Sequence, residues 1–491
     1  MNEAEIIAKL KQALGRDPAT AGHYDIESLY RRHLSDGFTP EIIHWLYQTI
    51  AANNPSEAEA AAFVAATHAD IDALKILNDA GVLPSIVDEY KFTLLHAIAK
   101  LKMADYELRA DDFRATIEWL LDNRVSVLKK DENENKCCFH YAARNANWRF
   151  INILRERGAK LDMIAAGGMT ALHELADGFY INRYSTDEPK KPEDQKLVDD
   201  YLKTAAELIA GGVDLDAKDD AGNTAGDLAV RNRSARLLAA LVPEPTVFQA
   251  IYAGAYELMP AAAVRGPNAI CDWTWSLDGL TPLGAACLLV DDRAVEILLA
   301  NGADPNAKDN NGRGALPNIL RSRDNSKTKA NVEKIIGAFV SAGWNKDGAE
   351  DEDGNTLLGV ACKSGFMSPL GFEGIIVDRM IAIGANGNAA NRNGQTPLMF
   401  ACAGNFEKME SVQLALLEAG ADVTLRDKTG RTALHYAAEN RRDSAARALM
   451  DMLFSFGKPD PSAADNAGKT PLDIATENGN EETLKYLLSK V

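Results

Sequence analysis

The sequence predicts an all-α solenoid, one helix–turn–helix unit stacked many times behind a short helical cap. Two observations carry this. A glycine that ends a helix precedes a threonine-like turn position by 12 residues at Gly158–Thr170, Gly212–Thr224, Gly302–Gly314, Gly384–Thr396 and Gly420–Thr432, and by 13 at Gly343–Thr356 and Gly457–Thr470. An interval that recurs along a chain marks one supersecondary unit repeated in register. The turn itself recurs as TPLGAAC from Thr281, TPLMFAC from Thr396, TALHYAA from Thr432 and TPLDIAT from Thr470. Weaker copies start at Thr93, Cys137, Thr170, Thr224 and Thr356.

Residues 1–55 match no repeat. MNEAEIIAKLKQAL reads as an amphipathic helix and lacks the basic and apolar runs of a secretory signal. A second helix opens at Thr39, a suitable N-cap, with Pro40 at the first helical position, and carries an apolar stripe of Ile42, Ile43, Leu46 and Ile50. This segment is expected to cap the repeat at Ala58–Gly81. Residues 56–491 are expected to hold about 11–13 helix pairs in a single elongated array.

Within each repeat, threonine suits the N-cap because its hydroxyl accepts a bond from an orphan backbone N–H. Proline next to it needs no N–H there. A small residue stands six places after the threonine position: Ala99, Ala143, Ala176, Cys287, Cys362, Cys402 and Ala438. Small side chains let neighbouring helices approach, so these cysteines read as buried apolar residues rather than reactive thiols. The second helix ends on glycine in the left-handed conformation and runs into an extended finger closed by a D-x-x-G turn.

G-x-T-P-L-H-x-A-A, a second helix and G-A-D-x-N together resemble the ankyrin repeat family. The resemblance covers about residues 56–491 and recurs in register. It implies helix–turn–helix units with projecting β-hairpin fingers, a curved array that binds proteins through fingers and first helices, and no catalytic apparatus. His96, His140, His173 and His435 share the family's histidine position, three after threonine. Each imidazole is expected to bond backbone across adjacent turns, and a metal row is the disfavoured reading.

The chain departs from the family pattern in two places. The finger interval is constant while the helix pair lengthens, most at Thr170–Gly212 with 42 residues. The extra residues must therefore enter the turn between the two helices or extend the helices there. The longest insertion, Asp177–Lys203, carries Phe179, Tyr180 and Tyr184, either on a solvated loop or as partner anchors. The stretch 242–278 keeps a helix pair but lacks T-P-L, and its Pro243 and Pro245 suggest a bend or a boundary between two stacks. It holds Tyr252, Tyr256, Trp273 and Trp275, and the preceding first helix offers Arg231, Arg233 and Arg236. Those ten residues are the candidate partner-binding set, with the central third of the concave face favoured.

Net charge is −18, which argues against a general nucleic-acid binder or adsorption on anionic membranes. No segment is long and apolar enough to span a bilayer, and the six cysteines form no C-x-x-C. A cytoplasmic, monomeric, non-catalytic protein with no metal or cofactor is expected, with another protein, basic in character, as its partner. Its role would be scaffolding, sequestration or neutralisation, as in a bacterial immunity or antitoxin-type inhibitor, or in a secreted effector engaging host proteins. The acidic clusters Asp131–Glu134 and Glu350–Asp353 read as solvated finger tips without calcium-loop spacing. A rival enzyme reading would place a site at His23, Asp25, Arg31, His33 and His44, but no nucleophile, phosphate loop or metal set accompanies them.

Overall fold

The computed structural model describes residues 2–36, 38–103, 109–181, 192–271, 279–363, 371–404, 409–439 and 443–490. It divides into two compact units, Met1–Pro243 and Glu244–Val491.

The first unit begins with three helices, α1 (Glu3–Leu14), α2 (His23–Asp36) and α3 (Pro40–Asn53). Asn2 and Glu5 cap α1 reciprocally, each side chain accepting the other's backbone N–H at 2.9 and 3.0 Å. Thr39 stands at the N-cap of α3 without a capping bond from its side chain, so the fixed φ of Pro40 sets the start of that helix. Ile42, Ile43, Leu46, Tyr47 and Ile50 are buried, as the apolar stripe requires. They face α4 (Pro55–Thr67) and α5 (Ile71–Asp79), the first repeat-like pair. The next pairs are Leu94–Ala99 with Ala110–Asp122, Cys138–Arg144 with Trp148–Glu156, Ala171–Ile181 with Pro192–Ala210, and Ala225–Arg231 with Ala235–Leu241. The long insertion in part extends the helices of its pair: Asp177 falls within the first, and the second starts at Pro192 and includes Lys203.

The second unit runs through Val247–Ala253 with Met259–Arg265, Pro282–Leu288 with Asp292–Ala300, the 3₁₀ turn Leu316–Arg321 with Lys329–Ser341, and Leu357–Lys363 with Glu373–Ala382. It continues with Pro397–Ala403 and Met409–Glu418, Ala433–Ala438 and Asp443–Phe456, and Pro471–Glu477 and Glu481–Leu488.

The small-residue register is core. Ala99, Ala143, Ala176, Cys287, Cys362, Cys402 and Ala438 are each at most 1% exposed. All six cysteines are free and buried, and burial pushes the Cys362 thiol up to about 12. Cys287, Cys362 and Cys402 are therefore packing residues, as their register predicts.

The fingers are tighter than β-hairpins. No strand forms among the described residues, and one isolated bridge pairs Val87 with Thr93. An Asp or Asn side chain closes most of the described turns instead. At Asp309, Oδ1 accepts the N–H of Asn311 at 2.7 Å and of Arg313 at 2.9 Å, while the Asp309 carbonyl accepts the Gly312 N–H. Asp219, Asp351, Asn391, Asp427 and Asp465 repeat this pattern. A side chain that satisfies two tip amides holds a narrow loop without a strand ladder.

The four histidines join repeats. Nδ1 of His96, His140, His173 and His435 accepts the N–H of Thr93, Cys137, Thr170 and Thr432 at 3.1–3.2 Å. Each Nε2 meets a carbonyl of the next finger: Lys136 at 3.2 Å, Met163 at 3.0 Å, Asn223 at 2.9 Å and Lys469 at 3.3 Å. An Nδ1 that accepts and an Nε2 that donates define a neutral imidazole. Burial lowers the pKa of His96, His140 and His435, that of His140 to about 4. A metal row is thereby ruled out at these positions, since both nitrogens are engaged.

One repeat solves the same joint differently. Gly314 occupies the threonine position and Pro317 the histidine position. The Gly314 N–H bonds the Glu350 carbonyl of the next finger directly, at 2.9 Å. A Cβ at Gly314 would lie 1.5 Å from Glu350 Oε2. The carboxylate thus fills the volume of the missing side chain, and its Oε1 accepts the Trp344 indole N–H at 2.9 Å.

Candidate protein-binding surface

The finger tips are tied to one another through backbone. In the first unit Glu132, Ala166 and Asp220 donate their N–H to Tyr90, Glu134 and Gly167 carbonyls of the preceding finger, at 2.9–3.0 Å. In the second, Asn310, Arg392, Lys428 and Asn466 donate to Gly279, Asp353, Asn393 and Thr429 at 2.8–3.1 Å. Between the fingers at Asp309 and Asp351 no such tip bond forms among the described residues, and the Gly314–Glu350 contact stands in its place.

A recurring constellation sits at the foot of these fingers. Lys136 and Tyr141 in the first unit occupy the same register as Arg431 and Tyr436 in the second, and Asp131, in a finger turn one residue longer, takes the part of Asp427. The tyrosine stands four residues after the threonine position, on the first helix. Its hydroxyl donates to the finger carboxylate, Tyr141 to Asp131 at 3.2 Å and Tyr436 to Asp427 at 2.6 Å. The cation lies over the ring: Lys136 Nζ 5.5 Å from the Tyr141 centroid, and the Arg431 guanidinium 4.5 Å from that of Tyr436. Lys100 adds a second cation over Tyr141 at 5.4 Å and covers Phe92 at 4.2 Å. Phe400, again four after threonine, lies under Lys363 at 5.9 Å. Tyr141, Phe400 and Tyr436 are half-buried. A fixed aromatic beside a fixed cation is the chemistry of protein contact anchors. The repeat register alone points to these residues, since each aromatic stands one place beyond the histidine position.

The charges behind this surface are more buried than the sequence suggests. Asp131 and Glu350, expected on solvated tips, are 4% and 2% exposed. Burial would raise the Asp131 carboxyl, but the amides of Glu134, Lys136 and Asn133 and the Tyr141 hydroxyl outweigh it and hold the pKa low. Glu350 has no such set of donors, and burial holds its pKa up. Lys136 and Glu174, both buried, pair at 2.9 Å, and Arg144 adds bonds to Glu174 at 3.0 Å and to Asp177 at 3.1 Å.

The ten residues expected to bind a partner fall in several elements of both units. Phe179 is 4% exposed and meets the Tyr201 ring edge-on, so it is a packing residue and leaves the set. Tyr180 is on the same helix, its side chain outside the described set, and Tyr184, Trp273 and Trp275 lie outside the described residues. The arginines do not share one helix. Arg231 closes its helix and is exposed, Arg233 sits in the following turn at φ 55, and Arg236 opens the next helix and bonds Gln195 at 3.1 Å. They belong to the first unit, whereas Tyr252 and Tyr256 belong to the second. Tyr252 is half-buried. Tyr256 donates to Asp291 at 2.9 Å and lies under Arg293 at 4.2 Å.

Of the residues in the rival enzyme reading, His23 bonds Glu57 at 2.7 Å and His44 bonds Asp70 at 2.9 Å, while Asp25 pairs with Arg16. The side chains of Arg31 and His33 lie outside the described set. Among the described residues no group of three or more His, Cys, Asp or Glu is placed to hold a metal ion, and no helix is long and apolar enough to cross a membrane.

Comparison with known proteins gives a consistent picture. A family model for ankyrin repeats (3 copies) matches residues 405–491, and one for a single ankyrin repeat matches residues 278–310. The human (Homo sapiens) B-cell lymphoma 3 protein is 32% identical over 144 residues, 28% of this chain and 29% of that protein. The mouse (Mus musculus) ankyrin repeat domain-containing protein 63 is 40% identical over 97 residues, 19% of this chain and 23% of that protein. The chain thus matches less than a third of the length of either relative. Among solved structures, the ankyrin repeat domain of Bcl-3 aligns with a TM-score of 0.38 at 22% identity, over 50% of this chain and 98% of that one.

Proposed function

Because this chain is an ankyrin-repeat protein, a module of protein–protein interaction, we propose that binding itself is its activity and that it acts without catalysis. One observation supports this most directly. The Tyr–Asp–cation constellation occurs once in each unit, at Asp131–Tyr141 and at Asp427–Tyr436, each at the foot of fingers that backbone bonds hold rigid. Rigid anchors lose little freedom when a partner docks, which favours affinity. We read residues 1–55 as a cap and 56–491 as the repeat array. The partner is a protein with a basic surface, matched to a chain of net charge −18. An immunity-type inhibitor and an effector that engages another organism's proteins both fit this reading, with a cytoplasmic monomer as the working form.

Affinity capture from the native organism, with mass spectrometry, identifies the partner, and titration calorimetry of variants then locates its contact. Tyr436→Ala or Tyr141→Ala should weaken binding by about 2 kcal/mol where the residue is a hot spot. The same measurement on Arg233→Glu, in the first unit, and on Trp275→Ala, in the second, tests the anchors expected from sequence. Deletion of 182–191 tests the insertion. Repeated capture with no stoichiometric partner would overturn the reading.

A further inference from the structure

The histidines whose side chains are described fall into two sets with opposite chemistry. Four bridge repeats as neutral rings. Three others, His23, His44 and His68, each meet a carboxylate across a single joint, that between the three N-terminal helices and the first repeat. His23, opening α2, lies 2.7 Å from Glu57 of α4. His44 of α3 lies 2.9 Å from Asp70, the N-cap of α5. His68, at the end of α4, lies 3.9 Å from Glu27 of α2. We propose that this joint is a pH-sensitive latch, closed by three histidine–carboxylate pairs, which holds tightest in acid and loosens as pH rises through neutrality.

The geometry is built for charged pairs. Glu57 Oε2 accepts both the His23 backbone N–H at 3.0 Å and its Nδ1, and Gly22 makes room, since a Cβ there would lie 2.6 Å from that oxygen. Asp70 is more fully committed. Its Oδ1 caps the Ala73 N–H at 3.0 Å and meets His44 Nε2, while its Oδ2 accepts the Tyr30 hydroxyl at 2.6 Å. Tyr30 in turn stacks on His68 at 4.1 Å, and Tyr47 donates to Tyr30 at 3.4 Å. The pairs therefore share one packed interface and do not act as isolated surface contacts.

The remaining charges around the three rings have mostly the same sign. His44 faces Asp70, Asp72 and Glu41, and Lys75, which pairs with Asp72 at 3.2 Å, tempers one of them. His23 neighbours Asp25, which Arg16 neutralises, and its ring lies 3.9 Å from that of Tyr24. His68 faces Glu27 and also meets the Val64 carbonyl at 3.0 Å through Nδ1. The hydrogen bond to Asp70 raises the pKa of His44 against a smaller opposing effect of burial.

The sign follows by linkage. A histidine with a raised folded pKa contributes stability that is complete below its unfolded value and is lost as pH rises through the folded value. Burial at Asp70 is outweighed by its bonds to His44, Tyr30 and Ala73, so its pKa is lowered and its contribution persists until pH falls through that depressed value. The latch thus closes between these limits. His96, His140 and His435 respond in the opposite sense, because protonation would take the Nδ1 lone pair that accepts the backbone N–H at the N-cap of their own helix. Acidification tightens the N-terminal joint while it weakens the repeats behind it.

The test uses the full chain labelled at histidine Cε1 for NMR, with hydrogen exchange read by mass spectrometry on residues 23–50 and corrected for intrinsic rates. Opening of these helices should be more frequent at about pH 8 than at about pH 5.5, where histidine changes charge. The ratio of the two opening constants should equal the factor that the measured midpoints of His23, His44 and His68 give by linkage. The triple variant His23→Gln, His44→Gln, His68→Gln should abolish the pH dependence. Should that variant not fold, Asp70→Asn reads the same pair from its other side, and the His44 midpoint should drop. Opening independent of pH in the wild type, a His44 midpoint at or below that of the unfolded chain, or an unchanged pH dependence in the triple variant would each overturn the proposal.

Discussion

Restoring the threonine that the repeat pattern asks for at Gly314 should destabilise this protein. Elsewhere the threonine hydroxyl caps a helix, and Thr281 does so for Gly284 at 3.0 Å. A return to the family residue would ordinarily contribute about 0.5–2 kcal/mol of cap. Here the 3₁₀ turn has Ala315 at its N-cap, so a threonine hydroxyl one residue earlier has no cap position to fill. The new Cβ would meet Glu350 Oε2 at 1.5 Å and Cδ at 2.5 Å, and the carboxylate must leave. Its departure strands the indole N–H of Trp344, a residue 6% exposed, which now donates to Glu350 at 2.9 Å. A hydrogen bond to a charged group contributes about 1.5–3 kcal/mol. Burial already holds the Glu350 pKa up, so release of the carboxylate to solvent offsets part of the loss. The net effect of Gly314→Thr should be a loss of about 1.5 kcal/mol, or roughly 3–6 °C in the Tm of a unit of this size. Glu350→Ala removes the obstruction, so the two substitutions should couple by a similar amount in a double-mutant cycle. Thermal unfolding combined with hydrogen exchange over residues 309–360 measures both. Equal effects of Gly314→Thr with and without Glu350, or a gain in stability in the wild-type background, would refute the argument.

Three further outcomes are expected. His140 has a folded pKa of about 4 against an ordinary value near 6.5, so the unfolded chain binds the proton first. Stability of the first unit should fall by roughly 3 kcal/mol as pH drops from about 6.5 to about 4, and His140→Gln should flatten that slope in urea titrations. Glu174→Ala leaves the Lys136 ammonium buried beside Glu134 alone and should cost about 3–5 kcal/mol, whereas Lys136→Met with Glu174→Met should recover most of it by denaturant unfolding. Arg124 holds φ 60 where other repeats use glycine, so Arg124→Gly should stabilise by about 0.5–1 kcal/mol, read as a shift in Tm.

The repeat was legible because it is written in spacing. The threonine register located the first helices, the small-residue row located the core, and the shared histidine position identified the bridging rings. The extra residues at Thr170–Gly212 in part extend the two helices of that pair, one of the two places that counting allows. What spacing could not supply is the fate of a single side chain. Asp131 and Glu350 look like exposed tip acids in a one-dimensional reading, yet one feeds three amides and the other fills the void of an absent side chain 36 residues earlier. Phe179 lies at the edge of an insertion and looked free, but it still belongs to the helix whose inner face packs on Tyr201. The Tyr–Asp–cation constellation escaped notice because its members are far from conspicuous singly and meet only when the finger folds back on its helix.

The bonds between neighbouring finger tips join a backbone donor to a backbone acceptor, and so they are indifferent to which residues carry them. A repeat with this tip can be duplicated, deleted whole or exchanged with another, and its neighbours will still find a partner of the right shape. Within the second unit, among the described residues, that interchangeability stops between two fingers. The joint between the fingers at Asp309 and Asp351 depends on a glycine in one repeat and a glutamate in the next, so those two repeats must be inherited, or transplanted, as a pair.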